Sequence, residues 1–124
     1  MTRILIVAAL AVVSSVAKAQ PMTVTLSEWS VRLGRDTVKA GSVTFRVKNA
    51  GTMSHGLYVR GEGVDKGSQG IGPGQEASLT VTVKPGTYEV FCPMADLSHK
   101  AAGMARKLVV TPGDKPAAPK TPAA

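Results

Sequence analysis

The chain has one cysteine and two histidines, and one short stretch, Cys92-Pro-Met-Ala-Asp-Leu-Ser-His99-Lys-Ala-Ala-Gly-Met104, holds the cysteine, a histidine and two of the five methionines. A thiolate, an imidazole and a thioether are soft or borderline ligands, the set that suits copper cycling between Cu(I) and Cu(II). Three donors leave a four-ligand site incomplete. The only other imidazole is His55, 37 positions before Cys92, so the fold has to deliver it. Each residue alone has a plainer use: a lone cysteine is usually a small buried hydrophobe, a methionine core filler and a histidine a surface residue. Together they point to a metal site built from His55, Cys92, His99 and Met104.

The N-terminus reads as a leader. Arg3 precedes an unbroken apolar run from Ile4 to Val13, and Ala17-Lys18-Ala19 offers a small-x-small cleavage point before Gln20, as in exported proteins. Ten apolar residues are too few to span a bilayer, and no cysteine stands at the cleavage point to carry a lipid. Residues 1–19 are therefore expected to be a cleaved signal peptide. The mature chain is then periplasmic or secreted, with no integral membrane segment. In an oxidising compartment cysteines normally pair, and ligation to a metal protects one that does not. Residues 111–124 hold four prolines, four alanines and no large apolar side chain, too little burial to order a chain, so a flexible tail is expected.

Residues 20–110 remain, enough for one small core. The formal charge of +7 falls to +5 without Arg3 and Lys18. No basic cluster is interleaved with aromatics, so no nucleic-acid partner is expected. The positive field either steers an acidic partner or serves solubility alone.

Period-two alternation dominates the mature chain. Val43, Phe45 and Val47 share one face of a strand, as do Leu79, Val81 and Val83, and Tyr88, Val90 and Cys92. If Val90 packs inward, so does the thiol. Further strands are expected at residues 22–29, 31–38 (broken at Gly34), 56–60 and 106–110. Turn chemistry separates them at Lys39-Ala-Gly41, Asn49-Ala-Gly51, Gly70-Ile-Gly-Pro-Gly74 and Lys84-Pro-Gly86. Seven to eight short strands imply an all-β fold, a Greek-key antiparallel β-sandwich. Residues 61–74, with five glycines and a proline within Gly61–Pro73, read as an irregular loop. Their Gly-x-Gly pairs follow no strand-to-helix pattern and are no nucleotide loop.

Three local patterns resemble the cupredoxins, the small type 1 blue copper electron-transfer proteins of the plastocyanin and azurin kind. They are Val47-Lys-Asn-Ala-Gly-Thr-Met-Ser-His55, the two strands from Gly72 to Cys92, and the ending His99-Lys-Ala-Ala-Gly-Met104. The resemblance covers residues 22–110. It implies one copper ion in a plane of Cys92, His55 and His99, with Met104 as a long axial ligand. It also implies a monomer that passes single electrons between redox proteins through the exposed edge of His99, with no enzymatic turnover. Lys100, Arg106 and Lys107 would orient an acidic partner.

Two departures stand out. Six residues separate Cys92 from His99, more than cupredoxins commonly have, and the added Met94 and Leu97 are expected to enlarge an apolar docking patch. Met94 is also a second candidate thioether. Gly56 stands where several members carry an asparagine that braces the cysteine loop, so the sulfur's support has to come from elsewhere. Met53 is expected near the apolar surface of the site, Asn49 to tie loops together, and Trp29 to pack in the core or at a strand edge. Glu89 and Asp96 are assigned no catalytic role. An alternative function with the same ligands is periplasmic copper binding and delivery, and a further rival is a metal-free interaction module.

Overall fold

The structure, a computed structural model, describes residues 19–113; the expected leader, apart from its last residue, and nearly all of the expected tail lie outside them. The described chain forms nine strands and one turn of helix: β1 (Gln20–Ser27), β2 (Ser30–Leu33), β3 (Thr37–Lys39), β4 (Gly41–Asn49), β5 (His55–Gly61), β6 (Val64–Ile71), β7 (Glu76–Val83), β8 (Gly86–Phe91), α1 (Ser98–Ala101) and β9 (Ala105–Thr111). No helix among the described residues is long and apolar enough to cross a membrane.

Two sheets face each other, one ordered β2-β1-β4-β7 and the other β3-β9-β8-β5-β6. The alternating residues meet between them: Met22, Val24 and Leu26 of β1, Val43, Phe45 and Val47 of β4, Val81 and Val83 of β7, and Tyr88 and Val90 of β8 are buried. That is the expected sandwich, with one refinement. Both sheets are mixed, because β1 pairs parallel with β4 and β3 parallel with β9. The parallel pairs arise where residues 31–38 divide at Gly34: β2 stays beside β1, whereas β3 joins the opposite sheet.

One segment departs from expectation. Within residues 61–74, β6 forms a regular edge strand, paired antiparallel with β5 from Gly61↔Val64 to Leu57↔Ser68. Gly61, Glu62 and Gly63 all have positive φ, which glycine tolerates and which reverses the chain tightly enough to start the hairpin. Farther along, a side chain at Gly67 would collide with the Tyr58 ring, so that glycine is a packing position. Because only Ile71 of β6 is buried, the strand carries no alternating apolar signal.

The core continues into the chemistry. Cys92 and Met104 belong to the same buried cluster as Phe45, Val90 and Leu108. The β7–β8 turn, which carries the chain from one sheet to the other ahead of Cys92, is closed by Tyr88, whose hydroxyl accepts the Lys84 N–H at 2.8 Å and donates to the Lys84 carbonyl at 2.9 Å. Tyr88→Phe removes both bonds and should lower unfolding stability by about 1–3 kcal/mol. Denaturant unfolding measures it, and an unchanged midpoint contradicts the role given to this hydroxyl.

Candidate metal centre

Three connections converge at one end of the sandwich. The β4–β5 loop ends on His55, the first residue of β5, and the β8–β9 connection carries Cys92, His99 and Met104. The third is the β1–β2 turn, Glu28-Trp29.

The four expected residues come together inside the protein. His55, Cys92 and Met104 are fully buried and His99 is 6% exposed. His55 Nδ1 lies 3.3 Å from His99 Nδ1, and Cys92 Sγ lies 3.7 Å from His99 Nδ1. All three donor atoms lie within 4.8 Å of one another, and Met104 is near His55 as well. Two nitrogens sharing one first-row ion such as zinc, at about 2.0–2.1 Å each, are at most about 4.2 Å apart, and a sulfur and a nitrogen only slightly more. Both separations from His99 Nδ1 satisfy that limit, and with all three donors within 4.8 Å the cluster has the size of a single-ion site.

The long loop resolves its length locally. Ala95, Asp96 and Leu97 have φ of 54°, 50° and 68°, a run of left-handed residues that costs roughly 1–2 kcal/mol each. It bulges the chain outward, and α1 then carries His99 back into the site. Backbone bonds fix the return: Met104 N–H donates to the His99 carbonyl at 3.1 Å, and Cys92 N–H to the Met104 carbonyl at 3.0 Å. Leu97 is exposed at the tip, whereas Met94 is partly buried against the core.

Support for the sulfur comes from the backbone. The Gly56 N–H donates to Cys92 Sγ at 3.3 Å. A Cβ at this position would lie 2.7 Å from the Ser68 carbonyl oxygen and 3.3 Å from Pro93 Cδ, so no bracing side chain fits there. Asn49 ties the loops as expected. Fully buried, it donates to the Met53 and Ile71 carbonyls at 2.7 and 2.8 Å, and its Oδ1 accepts the Gly51 N–H.

Sequence reasoning missed the β1–β2 turn. Glu28 Oε1 meets the N–H of Thr52, the N–H of Met53 and His55 Nε2 at 2.8, 2.8 and 2.9 Å. These bonds, the Met53 N–H above all, hold the Glu28 carboxyl at about 2 against its ordinary 4.5, despite the opposing effect of burial. Trp29 is neither core nor edge packing. It is 44% exposed, and its ring stands edge-on to His99 with centroids 5.0 Å apart. Met53 and Leu97 are similarly exposed, so each of the three converging connections contributes one apolar surface residue.

The basic residues divide. Lys100, in α1, pairs with Glu89 and lies over the Phe91 ring at 4.5 Å, so it is engaged by the neighbouring strand β8; Glu89 is thereby a surface partner on the outward face. Arg106 donates to the Val31 carbonyl at 3.0 Å. Together with Arg32, Arg35, Asp36 and Lys107 it lines a surface cleft of about 550 Å³.

A β-sandwich with an imidazole, thiolate and imidazole cluster buried at one end defines a class of small metalloprotein. The family model of the cupredoxin-like domain matches residues 1–104, and the chain belongs to that family. Among solved structures, a dithionite-reduced auracyanin from the photosynthetic bacterium Roseiflexus castenholzii superposes with TM-score 0.64 at 21% identity, covering 77% of this chain and all of that one. Auracyanin B superposes with TM-score 0.63 at 19% identity, covering 77% of this chain and 91% of that one. No curated protein sequence matches the chain.

Glu28 makes stability depend on acidity. Its folded carboxyl releases its proton at about 2, well below the unfolded value, so between the two the unfolded chain binds more protons and stability rises with pH. This contribution is complete above about 4.5 and disappears as pH falls towards 2. In the metal-free protein, Glu28→Gln should flatten the pH dependence of the unfolding midpoint across that window. Equal slopes for the two proteins contradict it.

Proposed function

We propose that this chain is an exported copper protein that carries single electrons between redox partners. His55, Cys92 and His99 hold the ion and Met104 completes the set. The observation that carries the reading is the meeting of two imidazole nitrogens and one thiol sulfur within 4.8 Å at the buried end of a cupredoxin sandwich. When bound, copper supplies a one-electron couple between Cu(I) and Cu(II). The chain's own part is to hold the donors still. Gly56 orients the sulfur through its amide, Glu28 anchors His55, and the backbone links among Cys92, His99 and Met104 keep the long loop in place. Small movement between oxidation states keeps electron transfer fast.

Electrons enter and leave at His99, the one donor residue with any exposure, beside Trp29. Exposed Trp29, Met53 and Leu97 supply the apolar surface a partner covers. Arg32, Arg35, Arg106 and Lys107 favour an acidic partner; Lys100, engaged by Glu89, contributes less than its position suggests. Export rests on the leader-like residues 1–19, and the protein acts as a monomer.

Loading the mature protein with Cu(II) tests the reading. An intense visible thiolate-to-copper band and a reversible one-electron wave are expected, and Cys92→Ser should lose both. A Cys92→Ser protein that keeps them rules out the site. Copper that exchanges rapidly with a chelator and shows no reversible wave favours delivery over electron transfer.

A further inference from the structure

The β1–β2 turn is wedged between the two loops that carry the donors. On one side, Glu28 accepts from the Thr52 and Met53 N–H groups and meets His55 Nε2 at 2.9 Å. A Cβ at Gly51 would overlap the Glu28 carboxylate, so the β4–β5 loop admits that carboxylate because residue 51 has no side chain. On the other side, a Cβ at Gly103 would lie 2.8 Å from the Trp29 carbonyl oxygen, and the Trp29 ring meets His99. One two-residue turn therefore touches both imidazoles.

Glu28 has a specific consequence for His55. An ionised carboxylate only accepts hydrogen bonds, so His55 donates from Nε2, and a neutral imidazole with its proton there keeps its lone pair on Nδ1. Nδ1 is the atom that faces His99 Nδ1 at 3.3 Å. The two backbone amides on the same oxygen keep the carboxylate from swinging away. A carboxylate behind an imidazole makes it a more basic ligand, and its negative charge favours the more positive state of a cation held in front.

We propose that Glu28 is a positioning residue of the metal centre: it locks His55 in the tautomer that presents Nδ1, and it lowers the reduction potential by favouring Cu(II) over Cu(I). The proposal rests on the copper reading. A simpler role as a loop staple makes a different prediction, lower stability with potential and tautomer unchanged.

The test compares wild type, Glu28→Gln and Gly51→Ala by two readouts. One is the midpoint potential of the copper-loaded proteins. The other is the His55 tautomer of the metal-free proteins at alkaline pH, from long-range proton–nitrogen NMR. Gln keeps an acceptor oxygen and loses the charge, so the Nε2–H tautomer persists while the potential rises; a tenfold loss of preference for Cu(II) corresponds to about 59 mV for one electron. Gly51→Ala leaves every ligand and the charge in the chain but displaces the carboxylate, so the tautomers mix and the potential rises as well. Unchanged potentials and tautomers in both variants overturn the proposal, as does a wild-type His55 protonated on Nδ1. Wild-type protein that gives no thiolate-to-copper band overturns the copper reading separately, and the tautomer measurement still decides what Glu28 does.

Discussion

The rest of the structure depends on keeping two imidazoles and a thiol close together inside a hydrophobic end of the sandwich. Three polar side chains with their donor atoms converging make a costly arrangement unless each has a partner. Here each does. The sulfur accepts from the Gly56 amide, His55 is held from behind by Glu28, and His99 is fixed through its carbonyl to Met104 and through its ring to Trp29. Among the described residues no buried side-chain nitrogen or oxygen lacks a partner. The two sheets supply the rigid base, since Cys92 and Met104 are packed as part of the core itself.

Holding the donors this way divides the labour between rigid strands and shaped loops. His55 opens β5 and Cys92 directly follows β8, so these two donors inherit the precision of paired strands. His99 does not. It arrives after three left-handed residues and a single helical turn, and its position relies on the short bonds that close the loop on Cys92 and Met104. The strained residues lie on the outward bulge, away from the donor atoms, so the longer connection leaves the convergence of the cluster intact and adds Leu97 to the surface. The same design leaves His99 as the one donor residue with any exposure, beside Trp29.

How much of this was legible depended on the range of the signal. Residue chemistry singled out His55, Cys92, His99 and Met104, because a single cysteine and two histidines leave few ways to assemble soft donors, and the fold buries all four at one end. Alternation identified β4, β7 and β8, whose inward residues are buried apart from Leu79, which packs partly buried against the core. Edge strand β6 was not legible, since its pairing comes from a tight turn and from Gly67 against Tyr58, neither of which produces an apolar period. Glu28 was hidden for another reason: its partners lie 24 to 27 residues away, and nothing beside it in sequence marks it. Trp29 read as core or strand-edge packing because a large apolar ring is usually used that way, whereas here its ring stands against His99. Parallel pairing of β1 with β4 also depends on where the chain crosses between sheets, which local pattern does not encode.

The proposal that one frame serves both oxidation states of copper can be examined at the metal itself. X-ray absorption fine structure at the copper edge of the loaded protein, recorded oxidised and then reduced, should find one sulfur and two nitrogen scatterers at bonding distance in both states, with little change between them. A spectrum without the short sulfur, or one in which a nitrogen is lost on reduction, would contradict a site held in place by the bonds around Gly56, Glu28 and Met104.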